Sequence, residues 1–165
     1  MRVHPKPVKI ISGGQTGADR AALDFALTHG FSHGGWCPHG RLAEDGTIDH
    51  CYRLKETPSP AYAQRTEWNV RDADGTVIFT SMMELAGGSL LTREFALRHG
   101  KPFLHLSRAN HKVLPAQLLH EFMQEHKIRV LNIAGPRASF DPAISAFVHA
   151  VLEEALLEKK PHAGH

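Results

Sequence analysis

A chain of 165 residues with 42% apolar and 22% charged residues is long enough to bury a core without disulfide or metal staples, and its composition is that of a soluble globular protein. A net charge of +2 with no Lys/Arg block leaves no electrostatic footprint for nucleic acid, and no apolar run approaches the roughly 18 residues needed to cross a bilayer. The two cysteines, Cys37 and Cys51, make neither a CxxC pair nor a disulfide framework. With no charged-then-apolar leader in the first residues, they read as reduced thiols in a cytoplasmic protein.

In chain order, Val8–Ile11 reads as a buried strand broken by Gly13-Gly14. Ala18–His29 is rich in Ala and Leu and closed by Gly30, which predicts a helix. A short second strand is expected around Trp36-Cys37. Gly40–Pro60 is long and polar, and loops of that length in compact domains are often functional. A helix is predicted over Ala61–Asp72, with Ser59 as N-cap and Pro60 at its first position. Asp74-Gly75 signals a turn, and the β-branched and aromatic run Thr76–Phe79 a strand. Gly88–His99 is the next helix, closed by Gly100. Pro102–Leu106 and Arg129–Ile133 read as strands flanking a helix over Pro115–His126. Asp141-Pro142 opens a last helix whose Ile144, Phe147, Val148, Val151, Leu152, Ala155 and Leu156 fall on one amphipathic face. Residues 1–158 are expected to form one ligand-binding domain and residues 159–165 a flexible tail.

Short apolar strands alternating with helices predict an α/β three-layer fold. Its sheet is mostly parallel, of about five strands, with helices on both faces. Ligands of such sheets sit at the carboxyl ends of the strands, so the strand-to-helix loops carry the information. The first is Ser12-Gly13-Gly14-Gln15-Thr16-Gly17-Ala18-Asp19-Arg20. Its glycines allow close backbone approach to an anion, and the following helix offers unpaired N–H groups and a positive dipole end. Thr16 adds a hydroxyl, Asp19 a cap or a ribose contact, and Arg20 a cation. The second loop, Ala86-Gly87-Gly88-Ser89, repeats that logic on another strand. The third, Asn132-Ile133-Ala134-Gly135-Pro136-Arg137, places Arg137 where a strand-end cation meets a phosphate or carboxylate.

Each element also has a plainer reading, from a tight turn to a solvated arginine. Arg65, Asn69 and Asp72 share a helix face, which either faces solvent or turns Arg65 and Asn69 into the cleft. Trp36 either stacks on a ligand ring or packs a loop, Trp68 offers a second ring, and Arg41 is a further cleft cation. The histidines are scattered, and there is neither an HExxH nor a Cys/His zinc spacing, so no metal site is expected. A GxSxG nucleophile elbow is also missing.

Gly13-Gly14-Gln15-Thr16-Gly17-Ala18-Asp19-Arg20-Ala21-Ala22-Leu23-Asp24 resembles the signature of the molybdenum-cofactor carrier proteins, a circularly permuted YpsA-like branch of the SLOG superfamily. The likeness continues through Gly34-Gly35-Trp36-Cys37-Pro38, Arg41-Leu42-Ala43-Glu44-Asp45-Gly46, Glu67–Asp72, Gly87-Gly88-Ser89 and Asn132–Arg137. It implies a Rossmann-like fold, a homo-oligomer (dimer or tetramer), and a nucleotide-like ligand. In carrier-type members that ligand is the molybdenum cofactor, whose pterin bears a phosphate.

The superfamily also contains lonely-guy phosphoribohydrolases, with the hallmark PGGxGTxxE. Here Ala86-Gly87-Gly88-Ser89-Leu90-Leu91-Thr92-Arg93-Glu94 keeps the glycines and Glu94 but replaces the Gly-Thr pair by Leu90-Leu91. The leading reading is therefore a binding or carrier protein. Its rivals are a nucleotide N-glycosidic hydrolase using Glu94 or Asp19, and a sensor of a nucleotide-derived signal.

Overall fold

The computed structural model describes residues 8–157, so the tail expected over 159–165 lies outside the described residues. Its strands and helices, in order, are β1 (Lys9–Ile11), α1 (Ala18–His29), β2 (Ser32–Gly34), β3 (Trp36–Cys37), β4 (Leu42–Ala43), β5 (Gly46–Thr47) and β6 (Lys55–Glu56). There follow α2 (Tyr62–Asp72), β7 (Gly75–Thr80), α3 (Gly87–Arg98), β8 (Phe103–Ser107), α4 (Pro115–Glu125), β9 (Val130–Ala134) and α5 (Ile144–Leu156).

Five strands form the central sheet in the order β2-β1-β9-β7-β8, every pair parallel. Helices α1, α4 and α5 pack together over one face, and α2 and α3 over the other, which gives the three-layer α/β architecture. All six residues of β7 are buried, as a strand covered on both faces requires. The main core joins Ile10, Phe25, Val77, Phe79, Leu131, Ile133, Phe147 and Leu152 across sheet, α1 and α5. Each such side chain contributes about 1.5–3 kcal/mol by leaving water. Phe79 meets Phe147 edge-on at 5.6 Å, which ties α5 to β7. No described helix is long and apolar enough to cross a membrane.

Three local expectations change. The second strand of the sheet is Ser32–Gly34, and Trp36–Cys37 leaves it. Gly35, at φ 124, turns the chain there, and Trp36-Cys37 pairs instead with Lys55-Glu56 in a small parallel ladder. Ser59 is not the N-cap of α2: Ala61 is, and the Ser59 hydroxyl accepts the Ala61 N–H at 3.0 Å, with Pro60 between them. Gly75 begins β7 by pairing with Leu131, and a Cβ there would press on Ile128 and Phe122, while Asp74 accepts the N–H groups of Arg129 and Val130 at 2.9 Å each. The long polar loop folds into the β4–β5 hairpin and is anchored from below by buried Ile48.

Candidate functional site

The chain runs outward from β1 to β2 and again from β7 to β8, then returns through β9 to the middle of the sheet. The loops after β1, β9 and β7 therefore meet at the switch in strand order, where α/β sheets place ligands. They enclose a cavity of about 610 Å³, walled on one side by Tyr62, Arg65 and Asn69 of α2. Gly13, Gln15 and Asp19 come from the loop after β1 and the start of α1. Gly87, Gly88 and Ser89 come from the start of α3, and Arg137 from the loop after β9.

Gly13 is a glycine because Arg65 lies on it: a Cβ would overlap the guanidinium. Arg65 Nη1 thereby reaches Asp19 Oδ2 at 2.7 Å, both side chains being largely buried. Burial pushes the Asp19 carboxyl up, against the opposing pull of Arg65. Asp19 also accepts the Gln15 N–H at 3.3 Å. The Gln15 side-chain oxygen, Oε1, accepts from Thr16 N at 3.0 Å and Glu44 N at 2.9 Å. Gln15 Nε2 and Arg65 Nε are both buried with no partner. Both residues line the cavity, although these two atoms are themselves enclosed by protein.

The rest of the first glycine loop is occupied by the protein itself. Gly14 packs on Leu54 and Ile48, and Gly17 lies against the Pro136 carbonyl. Ala18 N donates to Pro136 O at 3.2 Å. The Thr16 hydroxyl donates to Glu44 and accepts from Ala138 N at 3.1 Å. Arg20 donates to Asp45 at 2.9 and 3.1 Å and to the Gly14 carbonyl. Gly14, Thr16, Gly17 and Arg20 thus shape the site from outside its lining.

The start of α3 is different. A Cβ on Gly87 or Gly88 would meet nothing within 4 Å, and no side chain caps the helix. Ser89 N donates to the Ala86 carbonyl at 3.2 Å, which leaves the Gly87 and Gly88 N–H groups and the positive dipole end beside that open space. Arg137 makes no ion pair among the described residues; its guanidinium lies 5.5 Å from the Tyr62 ring centroid, and that of Arg65 lies at 5.3 Å from the same ring.

Several expected cleft residues are placed elsewhere. Arg41, at φ 55, is buried and donates to the carbonyls of Ile48, Asp49, Tyr52 and Leu54, so it ties the long loop together and lies outside the cavity lining. Trp36 donates from Nε1 to Asp72 at 2.7 Å and meets Trp68 edge-on at 4.8 Å, away from the cavity. Asn69 does line the cavity, but its amide also clamps both the N–H and the carbonyl of Trp36, at 2.8 and 2.9 Å. Glu94 is exposed on α3 and outside the lining.

Two contributors were not singled out from sequence. Tyr62 precedes Arg65 by three residues and so shares its helix face, a spacing that could have signalled it. Glu44, at the hairpin tip, also accepts from Ser139 N at 3.1 Å and Ser139 Oγ at 2.5 Å, tying the loop after β9 to the loop after β1. These bonds hold its carboxyl below the usual glutamate range. Among the described residues, no group of three or more His, Cys, Asp or Glu is placed to hold a metal ion.

The profile of the circularly permutated YpsA SLOG family matches residues 10–156, a span that includes every loop of the cavity. The chain belongs to this family. As a circularly permutated YpsA SLOG protein it is similar to a crystal structure from Syntrophus aciditrophicus SB described as a "putative molybdenum carrier protein". The two are 49% identical, the match covers 93% of this chain and 97% of that one, and the TM-score is 0.88. A comparison with curated proteins finds no match.

Proposed function

We propose that this chain is a binding protein for a small, phosphate-bearing, ring-containing ligand, and that the molybdenum cofactor is its cargo. The observation that carries the reading is the meeting, in one cavity at the switch point, of an uncapped and glycine-opened helix start and Arg137, which makes no ion pair among the described residues. The phosphate would sit on Gly87, Gly88 and Ser89 against Arg137, and Tyr62 would face the ring. The description of the Syntrophus protein supports the same cargo. In this reading the protein works in the cytoplasm as a dimer or tetramer, as the family resemblance implies.

Native mass spectrometry of freshly purified protein, followed by release of any bound molecule, tests it. Co-purified molybdopterin, or its capture on addition, is the expected result. A chain that binds a nucleotide but not molybdopterin would overturn the cargo. Base release from nucleoside monophosphates would replace the carrier by an enzyme. Hydrolysis has less behind it, because Glu94 lies outside the lining and the Asp19 carboxylate is held by Arg65.

A further inference from the structure

We propose that Asn132, on the central strand β9, holds the polar edge of the ligand's ring, so that the site prefers a phosphate ester of a nitrogen heterocycle to a sugar phosphate or free phosphate. This deepens the binding reading above and rests on it.

Asn132 interrupts a strand that is otherwise apolar, Val130-Leu131-Asn132-Ile133-Ala134. Leu131 and Ile133 join the core shared with α1 and α5, so the alternation of a strand turns Asn132 to the other face, toward α2 and α3. It is only 3% exposed, and it lines the cavity there. Its side chain makes one bond among the described residues, from Nδ2 to Thr76 Oγ1 at 3.2 Å. Oδ1 has no partner among those residues, yet it is not enclosed by protein, so the surface it keeps belongs to the cavity. A buried amide costs stability unless its bonds are made, and a leucine in its place would carry no such cost.

Position separates this contact from the phosphate. Asn132 is in register with Thr76, the second residue of β7, whereas α3 begins beyond the far end of that strand, after the connector from Ser81. Gly87 and Gly88 are exposed at the rim of the cavity, and Asn132 lies at its floor. A phosphate on the α3 start thus leaves the far end of the same molecule for Asn132, and a free phosphate cannot touch both. The Thr76 hydroxyl can accept from Nδ2 or donate to Oδ1, so the amide can turn over and offer either end to the cavity. Asn132 therefore meets a ring N–H or a ring acceptor alike, and the edge of a nitrogen heterocycle carries both.

The test is titration calorimetry with AMP and GMP, each against ribose 5-phosphate, which has the same sugar and phosphate but no heterocycle. At least one nucleotide should bind about tenfold or more tighter than ribose 5-phosphate, and Asn132→Leu should remove about tenfold of that margin, the worth of one hydrogen bond. Thermal melting checks the fold. If Asn132→Leu is unstable, the double variant Asn132→Leu/Thr76→Val, which strands no buried hydroxyl, takes its place. A margin unchanged in the folded variant overturns the assignment and leaves Asn132 as a structural partner of Thr76. An equal loss for nucleotide and sugar phosphate overturns it too, because Asn132 then shapes the wall without touching the ring. Wild-type protein that binds ribose 5-phosphate as tightly as both nucleotides overturns the ring contact and leaves the phosphate site standing. No binding of any of the three overturns both.

Discussion

Arg65, from the second turn of α2, places its guanidinium 2.7 Å from the carboxylate of Asp19, in the first turn of α1, with side-chain exposures of 11% and 7%. The pair joins two helices that share no sheet face and fixes one wall of the cavity. Breaking a buried pair from one side leaves a charge without compensation. Arg65→Met should therefore cost about 3–5 kcal/mol in urea unfolding. The double variant Arg65→Met/Asp19→Asn should recover part of that loss. A single variant as stable as the wild type would show that the pair contributes nothing.

Gly88 separates binding from folding. Space beside it is open and no positive φ is required of it, so Gly88→Ala should leave stability within about 1 kcal/mol, helix propensity acting in its favour. A methyl group over the α3 start should nevertheless cut affinity for a phosphate-bearing ligand by about tenfold or more. Melting temperature and calorimetric titration on one preparation check both halves. Undiminished affinity would move the phosphate away from α3.

Arg41 acts on the scaffold. Its guanidinium satisfies four carbonyls of an otherwise irregular loop, and lysine cannot reproduce that fork. Arg41→Lys should lower stability by about 2–3 kcal/mol and open residues 40–57 to limited proteolysis. If the variant resists protease as well as the wild type and instead loses ligand affinity alone, Arg41 belongs to the binding site after all.

Glu44 gives the acid side of the pH profile. Hydrogen bonds from Ser139 and Thr16 depress its folded-state pKa below the unfolded value. The linked stabilisation is therefore complete above the ordinary glutamate range and is lost as pH falls through the lower, folded value. NMR titration of the side-chain carboxyl should find the depressed midpoint, and Ser139→Ala should move it back up. A midpoint at or above the ordinary range would mean that the latch between the two loops does not form in solution.

Thr76–Phe79 announces its strand because every side chain must suit a buried sheet, whereas Ser32–Gly34 cannot, since only its backbone joins the ladder at the edge. The glycine loops show the same limit for the site. Gly14 and Gly17 look like Gly87 and Gly88 in sequence, yet the first two make room for protein atoms and the last two leave room for none. What distinguishes them is what fills the space, and those atoms come from Leu54 and Pro136, far along the chain. Arg41 was equally opaque, because its partners are main-chain carbonyls, which carry no residue signature. That Arg65 and Asn69 share a helix face was legible from spacing, but whether that face turned to solvent or to the cavity was not, because it depends on how α2 packs.

The central place of β9 has a consequence for how the molecule is made. The pairs β1–β2 and β7–β8 can each zip from nearby segments, but β1 and β7 stay apart until the strand between them has been synthesised. Contacts of such long sequence separation slow folding, and until β9 arrives two apolar strands expose open edges. A ribosome-bound chain ending before Val130 should therefore recruit chaperones, and emergence of β9 should be the step that commits it to the native state.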